Sequence, residues 1–304
     1  MCKISVIIPT HNRADLLPRA IKSIQNQTMP VDEIIVVSDG STDNTDQVVN
    51  EMKAADDRIQ LISYHPGRNG NYARNQGLRA AKGEFIAFLD DDDEWLPEKT
   101  EKQMKVFAEH PEYGIVYSGQ TCVFKDIDFS YITKPSWEGD LSQRIFYHND
   151  IGTPSQVIVK ASVLKEAGEF DLDLGALQDY DLWIRCCQKT QVGFVKEPCI
   201  IYYNTSAVNQ VSSNTEKYIK AERYIAAKYE SIVNSYAVAV QKDIRAGVES
   251  RIAQRCLRNG QKKDARKYAL NSLKIKPSKH AFGLYGASFF SYKTVLKVRS
   301  KFNY

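Results

Sequence analysis

Short apolar runs alternate with amphipathic stretches over the first hundred residues. The runs at 4–8, 34–37, 59–63 and 85–89 have the length and composition of strands. Between the first two, Leu16, Leu17, Ala20, Ile21 and Ile24 fall on one helical face and predict a helix over 14–25. A second helix is predicted over 42–52, with Ser41 or Thr42 as its cap, and a third over 72–81. Such alternation predicts an α/β fold with a largely parallel sheet. From 114 to 203 the pattern turns irregular, with short strands at 115–117, 157–159 and 193–195 and a helix near 180–188. From about Ser213 it reads as helices to the end.

In open α/β sheets, functional residues sit beyond the carboxyl ends of the strands. Three polar clusters fall there: Thr10-His11-Asn12, Ser38-Asp39-Gly40-Ser41 and Asp90-Asp91-Asp92-Asp93. Their places in the strand order predict that they converge on one crevice.

Composition changes the picture little, and charge changes it more. With 304 residues, 43% hydrophobic and 26% charged, the chain suits one large domain and an appendage. Its net charge of +4 hides a division. Residues 213–304 hold 20 Lys and Arg against 6 Asp and Glu, whereas 1–212 hold 21 against 31. The split predicts two functional regions, the second drawn to an anionic surface.

In that second region, Tyr285, Phe289, Tyr292 and Leu296 repeat at helical spacing beside Lys293, Lys297 and Lys301. This predicts one surface helix over 280–302, suited to an anionic membrane surface. Docking onto the first region is the alternative. No nucleic-acid recognition motif accompanies the basic residues. The six cysteines form no C-x-x-C pair and read as free thiols of a reducing compartment. Met1-Cys2-Lys3-Ile4 runs straight into a strand pattern, and the uncharged stretch 281–292 is too short to span a bilayer. The expectation is a cytoplasmic protein, peripheral at the inner face of the membrane through its tail.

Four consecutive aspartates after a buried strand repel one another and call for compensation. A divalent cation supplies it, since Mg²⁺ or Mn²⁺ takes one or two carboxylates and completes its shell with substrate phosphates. Asp90 and Asp92 lie on the same side of an extended segment. A helix-loop-helix calcium site would need glycine where Trp95 stands, and a merely solvated acidic loop fits poorly between 85–89 and Trp95-Leu96-Pro97.

At this point the residues resemble a known family. Ser5-Val6-Ile7-Ile8-Pro9-Thr10-His11-Asn12-Arg13, Val36-Val37-Ser38-Asp39-Gly40-Ser41-Thr42-Asp43, Ala73-Arg74-Asn75-Gln76-Gly77 and Phe88-Leu89-Asp90-Asp91-Asp92-Asp93-Glu94-Trp95-Leu96-Pro97 are similar to the motifs of the family 2 glycosyltransferases. Gln178-Asp179-Tyr180-Asp181-Leu182-Trp183-Ile184-Arg185 looks like that family's Glu-Asp element, with glutamine where glutamate is common. The ordered match covers about residues 3–205.

The resemblance implies a GT-A fold. Residues 1–212 would form the glycosyltransferase domain, with a nucleotide-binding half (1–110) and an acceptor-binding half (111–212), and 213–304 a basic helical region. It implies that Pro9, Thr10 and Asn12 line the nucleoside pocket and that Asp39 accepts from a pyrimidine ring N–H. Arg74 would meet the base or diphosphate, and Asp91 the ribose. Asp92, supported by Asp90, would bind Mn²⁺ or Mg²⁺. Asp179 would be the catalytic base, with Asp181 as its alternative, in an inverting displacement. Gly152-Thr153-Pro154-Ser155 would line the donor-sugar or acceptor pocket. Uridine diphosphate is the favoured carrier; thymidine fits the same imide contact, and guanosine stays open. The Gln-x-x-Arg-Trp element of polymerising relatives is missing, which predicts one sugar per encounter, given to a glycan or lipid-linked acceptor of surface polysaccharide synthesis.

Two other classes would use an acidic cluster. A receiver-like magnesium module leaves 178–185 unexplained. A sugar nucleotidyltransferase would carry a glycine-rich basic loop where Thr10-His11-Asn12-Arg13 stands.

Overall fold

The computed structural model describes residues 3–125, 128–204 and 214–301, without the side chains of 299–301. Two compact units divide the chain. Met1–Leu141, Asp150–Leu172 and Gln178–Thr205 form the first; Ser142–Asn149, Asp173–Leu177 and Ser206–Tyr304 form the second. The expected boundary at 212/213 falls within 205–213, outside the described residues.

The first unit opens with β1 (Ile4–Thr10), α1 (Leu17–Gln25), β2 (Glu33–Asp39), α2 (Thr45–Ala55), β3 (Ile59–Tyr64), α3 (Gly70–Ala80) and β4 (Phe85–Phe88). Next come β5 (Glu94–Trp95), α4 (Lys99–Glu109), β6 (Tyr113–Phe124), β7 (Phe129–Thr133), β8 (Ile158–Lys160), α5 (Ala161–Ala167), α6 (Gln178–Cys187) and β9 (Gln191–Asn204). One sheet joins the strands in the order β3-β2-β1-β4-β8-β6-β9-β5, with β7 paired to β6. Strands β3, β2, β1 and β4 are parallel, and all seven residues of β1 are buried. A parallel strand covered by helices on both faces needs such an apolar run. The expected α/β class is what the chain adopts.

Several boundaries differ from the sequence pattern for local reasons. Helix α1 begins at Leu17, with a proline in its first turn; before it, Thr45 Oγ1 accepts from Arg13 N and Asp43 Oδ2 from Ala14 N. Helix α2 begins at Thr45 rather than at 42. Asn12 Oδ1 accepts from Thr42 N at 2.7 Å, and Asp43 Oδ1 from Thr45 N at 3.0 Å, holding 41–44 as a loop. Strand β9 runs far beyond 193–195 because a register shift against Ser118 and Gly119 absorbs the residues before Pro198. Proline is tolerated in sheets at such irregularities. Leu17, Ala20, Ile21 and Ile24 of α1 are fully buried in the main core, where Ile21→Ala is expected to cost about 2–5 kcal/mol.

The second unit contains α7 (Thr215–Lys228), α8 (Glu230–Ser235), α9 (Val238–Arg258), α10 (Lys262–Ile275), α11 (Lys279–Ala287) and α12 (Tyr292–Lys301). Its core gathers Tyr218, Val248, Ile252, Cys256, Leu257 and Ala265. The expected single surface helix over 280–302 is a correction: the chain breaks it between α11 and α12. At the break Ser288 is buried and its hydroxyl donates to Tyr285 O, closing the last turn of α11. The apolar stripe is divided too. Tyr292 and Val295 pack on the core and Leu296 is buried, while Phe282, Phe289 and Phe290 stay exposed. The Lys301 side chain and residues 302–304 lie outside the described ones. Among the described residues no helix is long and apolar enough to cross a membrane. Cys122, Cys186, Cys187, Cys199 and Cys256 are free and buried; Cys2 lies outside the described residues.

Candidate active site

The parallel register brings the polar clusters of the first unit together. Thr10 lies opposite Ser38, Asp39 opposite Tyr64, and Ile7 opposite Phe88. The last residues of β1 and β2 and the acidic run after β4 therefore share one edge of the sheet. Thr10 confirms the approach, its hydroxyl donating to Asp91 Oδ2 at 2.7 Å across a separation of 81 residues.

Asp39 forms one wall. Gly40 follows it at φ +68°, and a Cβ built there would meet Gly67 N at 2.3 Å. A Cβ at Gly67 would meet Asp39 O at 2.6 Å. Only a glycine pair lets these backbones touch. That approach brings Arg68 N to Asp39 Oδ1 at 2.7 Å, while the His11 ring donates from Nδ1 to Asp39 O at 2.7 Å. The Tyr64 hydroxyl is buried nearby without a completed hydrogen bond. Burial and then the Asp39 carboxylate hold it well above the usual phenol range. Tyr64 packs edge-on against Tyr72, and Arg68 lies over the Tyr72 ring.

The acidic run forms the floor. Arg74, almost fully buried, donates from Nη2 to Asp90 Oδ1 at 2.6 Å, and its Nε is buried without a partner. Burial pushes the Asp91 carboxyl to about 7, with Thr10 and Arg13 opposing and Asp92 and Asp90 reinforcing. Burial and Asp90 also raise Asp92. Asp93 is fully buried, and burial, then Asp90 and Asp92, push its carboxyl well up; the Ser155 hydroxyl donates to its Oδ2 at 2.6 Å, leaving Oδ1 unpartnered. Ser155 also accepts from Asp90 N at 3.1 Å. It braces the run, a more structural part than lining a sugar pocket. Arg19 donates to Asp92 O at 2.6 Å.

Among the described residues, no three carboxylate, imidazole or thiol groups converge tightly enough to hold a metal ion unaided. Mg²⁺ and Mn²⁺ do not require that, because phosphate and water complete their shells. Crowded, desolvated carboxylates whose protonation is favoured by mutual repulsion suit a hard cation, which would relieve that repulsion. The donor set fits the group.

Asp179 stands in the first turn of α6 and its Oδ1 accepts from Tyr180 N at 2.8 Å. Burial pushes its carboxyl to about 6, with Arg74 lowering it and Asp90 raising it. The base candidate and the acidic run thus share one electrostatic field. Asp181, in contrast, is fully buried and bound by Arg185 Nε and Nη2 at 3.1 and 3.0 Å. Arg185 in turn donates to Ala167 O and Glu169 O. Asp181 is a structural anchor for α6.

Thr10, Asp39, Arg74, Asp90, Asp91 and Asp92 all belong to this edge. Asn12, in the left-handed region at φ 52°, spends its side-chain oxygen on backbone groups of Thr42 and Asp43. Asn12 thereby ties the loop after β1 to the loop after β2. Pro9 is buried in β1 opposite Val37. Sequence reasoning missed Tyr64, Arg68 and Arg19, which no local motif marks; only strand register and helix placement bring them in.

The comparisons with known proteins follow this geometry. Residues 5–168 match the family described as Glycosyl transferase family 2. An uncharacterized glycosyltransferase of Haemophilus influenzae is 30% identical over 236 residues, covering 76% of this chain and 78% of its own. A GalNAc(5)-diNAcBac-PP-undecaprenol beta-1,3-glucosyltransferase of Campylobacter jejuni is 54% identical over 99 residues, about a third of each chain (32% and 31%). Among solved structures, S. aureus TarS 1–349 in complex with UDP-GlcNAc superposes with a TM-score of 0.69 at 20% identity, covering 99% of this chain and 93% of its own. Its likeness extends the fold assignment over both units. With the ordered motifs converged on one sheet edge, the chain belongs to glycosyl transferase family 2 and is a glycosyltransferase.

Proposed function

We propose that this enzyme moves one sugar per encounter from a uridine diphosphate sugar to a hydroxyl of a lipid-linked glycan, with inversion, in synthesis of a surface polysaccharide. The observation that carries the reading is the convergence of Asp39, Arg74, Asp90–Asp92 and Asp179 at one end of the sheet. The UDP-GlcNAc complex of the TarS structure supports the carrier, and the undecaprenol-linked substrate named for the Campylobacter relative supports the acceptor class.

Asp39 accepts from the imide N–H of the pyrimidine, and the Tyr64–Tyr72 wall borders the base. Arg74 faces the diphosphate, and Asp91 takes a ribose hydroxyl. Asp92, with Asp90, would hold Mn²⁺ or Mg²⁺, which supplies Lewis-acid stabilisation of the leaving diphosphate when bound. Asp179 receives the acceptor proton. A carboxyl raised to about 6 suits a base at neutral pH, being mostly ionised yet more basic than an exposed aspartate. A receiver-like module would give Asp179 no such task, and a nucleotidyltransferase would release pyrophosphate.

A membrane surface fits the exposed Phe282, Phe289 and Phe290 beside the basic helices, and we place the enzyme peripherally on anionic lipid through them. Flotation with anionic vesicles that fails at low salt overturns that placement. The test of the activity is a panel of nucleotide sugars scored for nucleoside diphosphate release. Release with a UDP-sugar should cease on chelation by EDTA and return with Mn²⁺ or Mg²⁺. Release that persists after chelation removes the cation from the reading, and pyrophosphate release removes the transferase mechanism.

A further inference from the structure

We propose that the second unit carries its own binding site for a neutral sugar residue of a glycan chain, built from residues outside the transfer site. A cavity of about 340 Å³ opens among α9, α10, the start of α11 and the 142–149 segment. That volume lies within the range of about 300–1,000 Å³ usual for small-ligand sites. All of its lining residues belong to the second unit.

The floor is polar but satisfied. Ser250 and Ser272 are buried with their hydroxyls 2.9 Å apart, and Ser272 also donates to Ala246 O. One wall is Tyr147. A Cβ on Gly247 would meet Tyr147 O at 2.8 Å, so glycine there lets the 142–149 segment lie directly on α9. Asn149, half-buried, and Gln254, exposed, also line the cavity, and the Gln254 side chain makes no hydrogen bond to another described residue.

Charge decides the ligand class. Two fixed cations line the cavity, and both are already neutralised. Arg251 donates from Nε and Nη2 to the fully buried Glu222 at 2.8 Å each and from Nη1 to Phe146 O at 3.0 Å. Lys276 pairs with Asp243 at 2.5 Å. An incoming phosphate would meet no unpaired fixed cation and would face the Asp243 carboxylate. An apolar ligand would desolvate hydroxyl and amide groups without replacing their hydrogen bonds. A sugar ring meets both conditions. Its neighbouring hydroxyls donate and accept, as the amides of Asn149 and Gln254 do, and its C–H face can lie on the Tyr147 ring. A glycosyltransferase with such a site holds its glycan acceptor by sugars that do not react.

The class of ligand rests on the glycosyltransferase assignment, so binding is read without transfer, and donor binding is followed alongside it. The full chain is titrated with cellotriose, maltotriose and chitotriose by saturation-transfer difference NMR, and with UDP and inorganic phosphate in parallel. At least one trisaccharide should bind, and Gln254→Ala combined with Asn149→Ala should weaken it tenfold or more with UDP binding unchanged. Should the double variant fail to fold, Gln254→Ala and Gln254→Trp at the exposed position carry the test. The proposal is overturned if no trisaccharide binds, if binding survives the substitutions, or if phosphate displaces the trisaccharide. Loss of UDP binding by the unaltered chain would instead strike the transfer site and leave this one standing.

Discussion

Buried carboxylates are treated in opposite ways at the acidic run of the first unit and in the helical second unit. In the second, Glu222 is fully buried and receives two hydrogen bonds from the Arg251 guanidinium. In the first, Asp91, Asp92 and Asp93 are desolvated beside one another, and their carboxyls are pushed up. The cations Arg13 and Arg19 oppose this only in part. A charge with a matched partner stabilises its surroundings only modestly, but removing the partner is costly. A charge left without one is a standing cost that a substrate or ion can remove. The difference separates a scaffold pair from a working site.

The comparison can be broken at either end. The largest effect belongs to Asp179→Asn, which should lower the transfer rate by about 10²–10⁴-fold while UDP binding holds. Less than a tenfold loss in single-turnover assays would move the base elsewhere. Next is Glu222→Gln, which leaves Arg251 buried without its counter-charge and should cost about 3–5 kcal/mol in urea unfolding. Donor hydrolysis per folded molecule should not change. Asp39→Ala should remove about 1–3 kcal/mol of donor recognition by leaving a buried N–H unpaired. This corresponds to about 5–150-fold in kcat/KM for the UDP-sugar, and an equal loss with an N3-methylated donor would contradict the contact. The smallest effect is that of pH. With Asp179 raised to about 6, the base is protonated below that value and ionised above it. Because Asp91 is raised to about 7 as well, transfer should begin to fall near pH 7 and steepen below 6 as Asp179 takes up its proton. Asp179→Asn should remove the lower step and leave the upper one.

Much of the first unit was legible because its strands are nearly pure apolar runs and its site residues follow them directly. Thr10, Asp39 and Asp90–Asp93 could be placed at one edge from strand order alone, and the register agrees. What escaped is set by non-local pairing. Strand β5 has only two residues and exists through its ladder with β9. Strand β9 carries a proline that reads as a terminator until the register shift accommodates it. The resemblance puts Ser155 among residues lining a sugar pocket, yet it lies between Asp93 and the backbone of Asp90. The tail misled for a related reason. Helical spacing continues through 285–296, but Ser288 turns inward and closes the helix, which no periodicity can signal.

The contact between Gly40 and Gly67 limits how such an enzyme could be retuned to another carrier. Either backbone would be forced aside by a single added methyl group, so altering the base through that turn would dismantle the loop presenting Asp39. Tyr64 and Tyr72 border the same space through their side chains, and Arg68 through its guanidinium as well as the backbone N–H it gives to Asp39. A library aimed at purine carriers should vary those three positions and leave both glycines untouched.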